Sequence, residues 1–247
     1  MRIIISPAKK MKVDTDAFTY EQYPQFLDQT KELLTYLKSL SYEELKNIWK
    51  ASDKISTENY ERIEHMDLES NLTPAILSYE GIQYQHMGPD VFEQQQFDYL
   101  QEHLRILSGF YGILRPFDGV KPYRLEMQAK LHDDTYKSVY HFWSDQLAKQ
   151  LFSETDTIIN LASKEYSQTI TKYNESARII TCVFGELKDD KVKEKGTLVK
   201  MARGEMVRFL AENQINDVEK IKGFNGLNFS FSKEHSSDDM FVFIKQD

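Results

Sequence analysis

The sequence of 247 residues predicts a mixed α/β fold, with a central mixed sheet of short buried strands surrounded by helices and a C-terminal antiparallel hairpin. Residues 2–6 (RIIIS) and 156–162 (DTIINLA) are apolar on consecutive positions, which is typical of strands covered on both faces. By contrast, residues 227–234 and 240–245 alternate apolar and polar side chains on either side of a polar turn, and this pattern predicts the hairpin.

Helices are predicted mainly in the first half of the chain. Residues 26–40 repeat apolar side chains at helical spacing, and Ser41 with Glu44 forms a Ser-x-x-Glu capping box that begins a second helix. Further helices are predicted to begin at Thr73-Pro74, to span residues 97–107 before Gly109, and to span residues 138–151.

The last third of the sequence predicts two more strands and one helix. Residues 177–185 are strand-like, and after a polar turn residues 196–201 (GTLVKM) are predicted to form another strand. Residues 201–213 then predict an amphipathic helix, and a helical wheel places Arg208 and the preceding Lys200 opposite its apolar face. Gly204 is costly inside a helix, so it indicates close packing at that point.

Composition limits the class of protein. No apolar run approaches the roughly 18 residues needed to span a bilayer, so we expect a cytoplasmic protein with no membrane partner. No linker or repeat divides the chain, which predicts one domain over residues 1–247. The single Cys182 lies in an apolar strand and is interpreted as a buried structural cysteine.

The formal net charge is −8, so binding to a polyanion requires a local concentration of basic residues. Basic residues do concentrate within residues 2–12, 105–130 and 200–208, whereas most acidic residues lie elsewhere. This segregation is compatible either with a basic binding surface or with ordinary solvated faces.

Two strand ends share a pattern that suggests a binding site. RIIISPAKK and TIINLASK each pass from an apolar strand into small polar residues and a lysine, and ligands of open α/β sheets gather at the carboxyl ends of strands. Hydroxyl groups, an amide and cations together suit a phosphate, although the polar residues could instead cap helices or turns. The residues expected to converge are Ser6, Lys9, Asn160, Ser163, Lys164, Lys200 and Arg203.

Residues 104–127 form the densest candidate segment. Their glycines allow a close approach of the backbone to a ligand, Arg115 and Arg124 supply charge, and Tyr123 supplies stacking surface. Glu126 is placed to orient an arginine. The alternative is a helix that ends at a glycine, followed by turns fixed by prolines.

Covalent and metal chemistry are weakly supported. Ser6 to Lys9 matches the Ser-x-x-Lys nucleophile motif, but the companion motifs of that enzyme class are missing. The histidines are scattered, and the one compact group, His132 with Asp133 and Asp134, is interpreted as a polar turn. We therefore expect no metal site and no cofactor.

Several strings in order resemble those of the YaaA peroxide-stress protein family, also described as UPF0246. They are ISPAK at 5–9, SDK at 52–54, LRILSGFYGILRP at 104–116, PYRLEM at 122–127, INLAS at 159–163, ARG at 202–204 and GF at 223–224. The resemblance covers nearly the whole chain.

This resemblance implies a bacterial cytosolic protein that protects DNA and proteins from hydrogen peroxide and keeps unincorporated iron low. It also implies DNA binding through a positively charged cleft and a helix-hairpin-helix element near residues 52–63. That segment contains no glycine to present backbone N–H groups to phosphate, which leaves Lys54 and Arg62 as candidate contacts.

The leading hypothesis is an oxidative-stress protein that limits iron-dependent damage by binding duplex or branched DNA, or a nucleotide-like phosphate ligand, in a basic cleft. The alternative is an enzyme acting on a nucleotide or nucleobase, with Tyr166 as an orienting group and Glu165 or Glu205 as a base. The candidate ligand-binding residues are Ser6, Lys9, Lys54, Arg115, Tyr123, Arg124, Asn160, Ser163, Lys200, Arg203 and Arg208.

Overall fold

The structure is a computed structural model that describes residues 1–16, 18–131 and 136–246. Its architecture confirms the predicted mixed α/β class, with a mostly parallel central sheet surrounded by helices. The predicted polar turn at His132, Asp133 and Asp134 lies outside the described residues. No described helix is long and apolar enough to cross a bilayer.

The strands are short, and most of them lie in one sheet. They are β1 (Arg2–Ile5), β2 (Lys10–Met11), β3 (Thr73–Pro74), β4 (Tyr79–Glu80), β5 (Leu104–Ser108), β6 (Gly112–Leu114), β7 (Gly119–Val120), β8 (Thr157–Leu161), β9 (Arg178–Lys188), β10 (Lys191–Lys193), β11 (Phe229–Phe231) and β12 (Met240–Lys245).

The helices are distributed along the whole chain. They are α1 (Leu27–Ser39), α2 (Tyr42–Trp49), α3 (Asp53–Glu64), α4 (Ala75–Ser78), α5 (Ile82–Met87), α6 (Gln94–His103), α7 (Val139–Trp143), α8 (Gln146–Glu154), α9 (Lys164–Thr171) and α10 (Gly196–Glu212). Short 3-10 segments lie at Pro89–Val91, Val218–Gly223 and Gly226–Asn228.

The main sheet has the strand order β11-β12-β9-β8-β1-β5-β6, and β10 pairs with the end of β9. Neighbouring strands from β12 to β5 are parallel, while β6, β10 and β11 pair antiparallel at the edges. Strand β1 lies inside the sheet, between β8 and β5. Its residues Ile3, Ile4 and Ile5 are fully buried, as expected for a parallel strand covered on both faces. Its parallel pairing with β8 places the carboxyl ends of both strands side by side.

The C-terminal antiparallel hairpin is also confirmed. Phe229 on β11 lies opposite Lys245 on β12, and Phe231 lies opposite Phe243. Strand β12 then joins β9 in parallel, and the rings of Phe243 and Phe184 stack with centroids 5.3 Å apart. Aromatic packing therefore fixes the hairpin to the sheet.

The prediction of a strand at residues 196–201 is wrong, because this segment is the first part of α10. Val199, Ala202 and Met206 are buried at helical spacing, and this periodic face packs into the protein. The β-branched Thr197 and Val199 favour a strand locally, but burial of the helical face outweighs that preference.

The predicted helix over residues 97–107 ends earlier, at His103, where β5 begins. Residues Leu104 to Ile106 pair with β1, which makes them a sheet strand. Arg105 satisfies the helix end because its Nη1 donates to the carbonyl oxygens of Gln101, Glu102 and Leu104, at 3.3, 3.1 and 2.7 Å.

Two other helix predictions need correction. The helix expected over residues 138–151 is divided into α7 and α8 at Ser144, whose φ of 45° and ψ of −124° interrupt the helical backbone. Thr73 does not cap a helix, since Thr73 and Pro74 pair with Val120 and Gly119 as strand β3. The capping box of Ser41 and Glu44 is confirmed at the start of α2.

Candidate functional site

The carboxyl ends of β1 and β8 meet at a pair of serines. Ser6 follows β1, and Ser163 is the N-cap residue of α9 shortly after β8. The Ser163 backbone N–H donates to Ser6 Oγ at 2.8 Å, and Ser6 Oγ donates to Ser163 Oγ at 3.2 Å. The two strand ends are therefore joined directly, as the repeated sequence pattern predicts.

Helix α10 supplies the opposite side of the site. Lys200 and Arg203 lie about one turn apart on it, so they share a face. Close packing of α10 against α5 depends on Gly204, because a Cβ atom there would lie 2.1 Å from the carbonyl oxygen of Gln83 and 2.9 Å from the nitrogen of Met87. The close packing expected at Gly204 is confirmed.

A third side comes from the segment after β7. Arg124 and Glu126 lie near each other, with Nη2 and Oε1 3.4 Å apart, as the suggested role of Glu126 requires. The same carboxylate oxygen lies 2.8 Å from Lys9 Nζ. Glu126 thus links the segment to the loop that follows β1.

These elements enclose a cavity of about 540 Å³, which we call the central cavity. Its volume is in the range typical of small-ligand sites. The predicted candidates that line it are Ser6, Lys9, Tyr123, Arg124, Ser163, Lys200 and Arg203. The other lining residues include Lys10, Glu80, Gln83, Tyr84, Glu165 and Tyr166.

Two predicted residues lie away from the central cavity because of the sheet. Asn160 is buried within β8, where its Oδ1 accepts from the Ala162 N–H at 3.0 Å and its Nδ2 donates to Thr181 Oγ1 at 3.2 Å. Arg115 follows β6, which runs antiparallel to β5, so it lies toward the opposite end of the sheet. Its Nη1 donates to Gln22 Oε1 at 3.3 Å.

The other two outlying candidates lie on helices. Arg208 shares α10 with Arg203, but five residues of helix rotate it away from the cavity, and its Nε donates to Glu212 at 2.8 Å. Lys54 is exposed in the first turn of α3. Of the residues expected to converge on one site, Asn160 and Lys164 do not line the cavity, and the further candidates Arg115, Arg208 and Lys54 also lie outside it.

The implied helical hairpin does not turn within residues 52–63, because these residues are the N-cap and most of the continuous helix α3. Helices α2 and α3 do form consecutive helices, joined through Lys50, which adopts the left-handed conformation with φ of 46°. Lys46 and Asp53 form an ion pair between the two helices.

Gln83 and Tyr84 line the cavity and were missed by sequence reasoning. They lie on the short helix α5, whose flanking glycines, Gly81 and Gly88, mark its ends in the sequence. No local motif connects this helix with Ser6. The Tyr84 hydroxyl nevertheless donates to the Ser6 carbonyl oxygen at 3.0 Å.

A hydrogen-bond network of tyrosines and Ser108 lies behind the cavity lining. Tyr123 Oη lies 2.7 Å from Ser108 Oγ and 3.0 Å from Tyr79 Oη. Burial raises the pKa of Tyr123 to about 12, and burial also raises the pKa of Tyr84 and Tyr166. These phenols are therefore neutral hydrogen-bonding groups at physiological pH.

Two charged groups of the cavity have shifted ionisation. Burial, followed by repulsion from Glu126, raises the pKa of the Glu165 carboxyl group, although its Oε1 accepts from the Gln128 N–H at 3.3 Å. Burial lowers the pKa of the Arg203 guanidinium. The side chain of Arg203 has no hydrogen-bond or ion-pair partner within the described ranges.

The arrangement gives no support to a serine nucleophile activated by Lys9. Ser6 Oγ bonds to Ser163, whereas Lys9 Nζ is engaged with Glu126. Cys182 is buried, as predicted, and burial raises the pKa of its thiol to about 12. No group of three or more metal-ligating side chains occurs in residues 1–16, 18–131 and 136–246.

Comparison with known proteins gives matches along the chain. A family model described as peroxide stress protein YaaA matches residues 1–235. A UPF0246 protein of Lachnoclostridium phytofermentans is 57% identical over 246 residues, which cover 99% of this chain and 96% of that protein. UPF0246 proteins of Pediococcus pentosaceus and Desulfitobacterium hafniense are 51% and 54% identical, covering 100% and 99% of this chain and 99% and 98% of those proteins.

Proposed function

Because this chain belongs to the peroxide stress protein YaaA family, we propose that it acts in the oxidative-stress response by binding the phosphate groups of DNA, or of a nucleotide-like ligand, in the central cavity. We place this activity in the cytoplasm. Its effect is to limit iron-dependent damage, since a Fenton reaction on DNA requires iron, peroxide and DNA together.

The charge of the cavity lining is the observation that carries this proposal. The chain as a whole has a formal net charge of −8, yet cationic side chains outnumber carboxylates around the cavity. The cations are Lys9, Lys10, Arg124, Lys200 and Arg203, and the carboxylates are Glu80, Glu126 and Glu165. An acidic protein with a local positive site attracts a phosphate there and repels it elsewhere.

Two backbone features add to this preference. The Ser6–Ser163 pair lies at the carboxyl ends of parallel strands, the usual position for ligands of α/β sheets. Ser163 is also the N-cap of the eight-residue helix α9, and its side chain makes no capping hydrogen bond among the described residues. The positive end of that helix dipole therefore lies beside the cavity.

A salt titration of DNA binding tests the proposal. We expect the affinity for duplex and branched DNA to fall linearly on a logarithmic scale with salt, and to fall roughly tenfold or more in a Lys9→Ala, Arg203→Ala double variant. Lys54→Ala is the matched control, since it removes an exposed lysine outside the cavity. The proposal is contradicted if DNA affinity does not change with salt concentration and is the same in the double variant as in the native chain.

The link to peroxide is tested separately in a bacterial strain that lacks the gene. The native chain is expected to restore survival in hydrogen peroxide, whereas the double variant is not. Restoration by the double variant would mean that protection does not depend on the central cavity.

Glu165 favours a second candidate function, that of an enzyme acting on a nucleotide or nucleobase. A carboxyl group whose pKa is raised by burial, facing a cavity of this size, has the properties of a general base or acid. Turnover in a nucleotide panel that is abolished by Glu165→Gln, with ligand affinity retained, supports this function. Binding without turnover supports the first.

A further inference from the structure

Unpartnered nitrogen donors concentrate at the central cavity. Within the described ranges, five buried side-chain polar atoms have no hydrogen-bond partner in the protein, and three of them belong to cavity-lining residues. These three are Gln83 Nε2, Arg124 Nε and Arg203 Nε, and all are N–H donors. Buried donors without acceptors are costly, so their concentration at one cavity points to a ligand that carries acceptors.

Among these residues, Arg203 would gain most from a bound anion, because its guanidinium group has no partner among the described residues. Burial disfavours its charged form, and the carboxylate that favours the charged form, Glu194, forms no ion pair with it. Arg124 is different, because its Nη2 lies 3.4 Å from Glu126 while its Nε stays unpartnered. An oxyanion with several acceptor oxygens, such as a phosphate, satisfies both arginines and the Gln83 amide.

The cavity also offers aromatic surface, which an inorganic anion would leave unused. Tyr84, Tyr123 and Tyr166 all line it, and we call these three rings the tyrosine wall. Their hydroxyl groups are engaged with the protein: Tyr84 with the Ser6 carbonyl, Tyr123 with Ser108, and Tyr166 with the backbone of Met127. Because these side chains are largely buried and their hydroxyl groups are engaged, what they offer a ligand is a small apolar surface, which suits contact with a planar heterocycle.

We propose that the central cavity binds one nucleoside monophosphate unit, with its phosphate on Arg124, Arg203 and Gln83 and its base against the tyrosine wall. This inference rests on the proposed function, since it specifies the phosphate ligand of the same site. The carboxyl group of Glu165 also lines the cavity and can accept from sugar hydroxyl or base amino groups. The unit can be a free nucleotide or an unpaired nucleotide of a DNA strand.

Calorimetry with the full chain tests the proposal, using nucleoside 5′-monophosphates, the corresponding nucleosides and inorganic phosphate as probes. We expect a monophosphate to bind at least tenfold more tightly than either inorganic phosphate or the nucleoside. A monophosphate that binds no more tightly than inorganic phosphate overturns the role of the tyrosine wall and with it the proposal.

Substitution of Arg203 by methionine separates a ligand contact from a structural role. Arg203→Met should weaken monophosphate binding at least tenfold and also raise the melting temperature, because an apolar side chain replaces a partly buried charge whose Nε has no partner. Gln83→Leu should weaken binding by a similar factor while keeping the Gln83 backbone contact with Gly204. Arg208→Met on the same helix, outside the cavity, is the control and should leave binding unchanged.

Competition identifies the source of the nucleotide and separates this proposal from the preceding one. If a monophosphate displaces a bound single-stranded oligonucleotide, the site takes a nucleotide that is part of a DNA strand. If the monophosphate binds and the oligonucleotide does not, the site takes a free nucleotide. If duplex DNA binds with salt dependence and the monophosphate does not displace it, this inference is overturned while DNA binding stands. Loss of all binding in the native chain overturns both.

Discussion

Lys9 Nζ lies 2.8 Å from Glu126 Oε1 at the central cavity, and this ion pair places a carboxylate of the protein where an anionic ligand would meet Lys9. The same oxygen lies 3.4 Å from Arg124 Nη2. Glu126 therefore competes with a ligand for two cations. A bound phosphate must displace this carboxylate or share its partners.

Removing the competing charge should strengthen binding. In Glu126→Gln we expect the affinity for sulfate or for a nucleoside monophosphate to rise roughly threefold or more, since the side chain is partly buried and its charge is close to both cations. Calorimetry measures the change. Glu186→Gln, which removes a partly buried carboxylate paired with Lys195 outside the cavity, should leave affinity unchanged. Weaker binding in Glu126→Gln would show that this carboxylate holds the cations in place.

Binding should depend on pH through Glu165. Burial, and to a smaller extent repulsion from Glu126, raises the pKa of this carboxyl group above its ordinary value of 4.5. As the pH falls, the group therefore takes up a proton before an ordinary glutamate would. Protonation removes a negative charge from an anion site, so affinity should increase in this direction. Sulfate is the suitable probe because it does not titrate in this range.

The variant Glu165→Gln tests whether this carboxyl group causes the pH dependence, because it removes the group and keeps Glu126 and Lys9, which also influence its pKa. We expect sulfate affinity in the variant to be high and nearly independent of pH over the same range. Full retention of the native pH dependence would contradict its assignment to Glu165.

The parts of the site that could be predicted are those encoded by local sequence. Ser6 and Ser163 follow apolar strand segments, and the pairing of β1 with β8 brings them together. The apolar runs were sufficient to predict β1 and β8, because a short run of consecutive apolar residues is typical of a strand buried on both faces. Asn160 fits the same pattern, but its side chain is used within the sheet.

The parts that could not be predicted depend on packing between distant segments. Residues 196–201 have local strand preference, and only burial of Val199 against the protein identifies them as helix. Gln83 reaches the cavity because α5 packs against α10 at Gly204, a contact across more than a hundred residues. The position of Arg115 outside the cavity depends on the direction of β6, which is not visible in the sequence.

Cys182 should not react with peroxide in the folded protein. Its side chain is 1% exposed, and burial raises the pKa of its thiol to about 12, so almost no thiolate is present at neutral pH. We expect a thiol reagent to modify no cysteine in the native chain and one cysteine in the unfolded chain. Mass spectrometry after treatment with hydrogen peroxide makes the same test, and rapid oxidation of native Cys182 would contradict it.

Glu154 should contribute to stability above about pH 4.5. Burial opposes ionisation of this carboxyl group, but hydrogen bonds from Arg105, Gln150 and Arg2 outweigh burial and lower its pKa. Its Oε2 lies 2.6 Å from Arg105 Nη2 and 2.9 Å from Arg2 Nε. The stabilisation is therefore complete above the ordinary pKa and is lost as the pH falls through the lowered one.

The variant Glu154→Gln should lower the free energy of unfolding by about 2 kcal/mol at neutral pH, because it leaves the buried Arg105 without its counter-charge. The difference from the native chain should shrink as the pH falls below 4.5. Glu212→Gln, which breaks an exposed pair with Arg208, should change stability by less than about 0.5 kcal/mol. Urea unfolding followed by fluorescence of the buried Trp49 and Trp143 measures all three.

Gly204→Ala should disrupt the contact between α10 and α5. A Cβ atom at this position would lie 2.1 Å from the Gln83 carbonyl oxygen and 2.9 Å from the Met87 nitrogen, and both are backbone atoms that cannot rotate away. We expect a loss of about 3 kcal/mol in the free energy of unfolding, at the upper end of typical overpacking costs. Ligand affinity should fall as well, because separating the helices moves Arg203 away from Gln83.

Gly196→Ala is the matched control on the same helix. No atom lies within 4 Å of a Cβ placed there, so the added methyl group meets open space. Alanine also favours a helix over glycine, and stability should rise slightly, by up to about 0.5 kcal/mol at this terminal position. If both variants unfold at the native urea concentration, α10 and α5 are free to separate, and the cavity does not need their close packing.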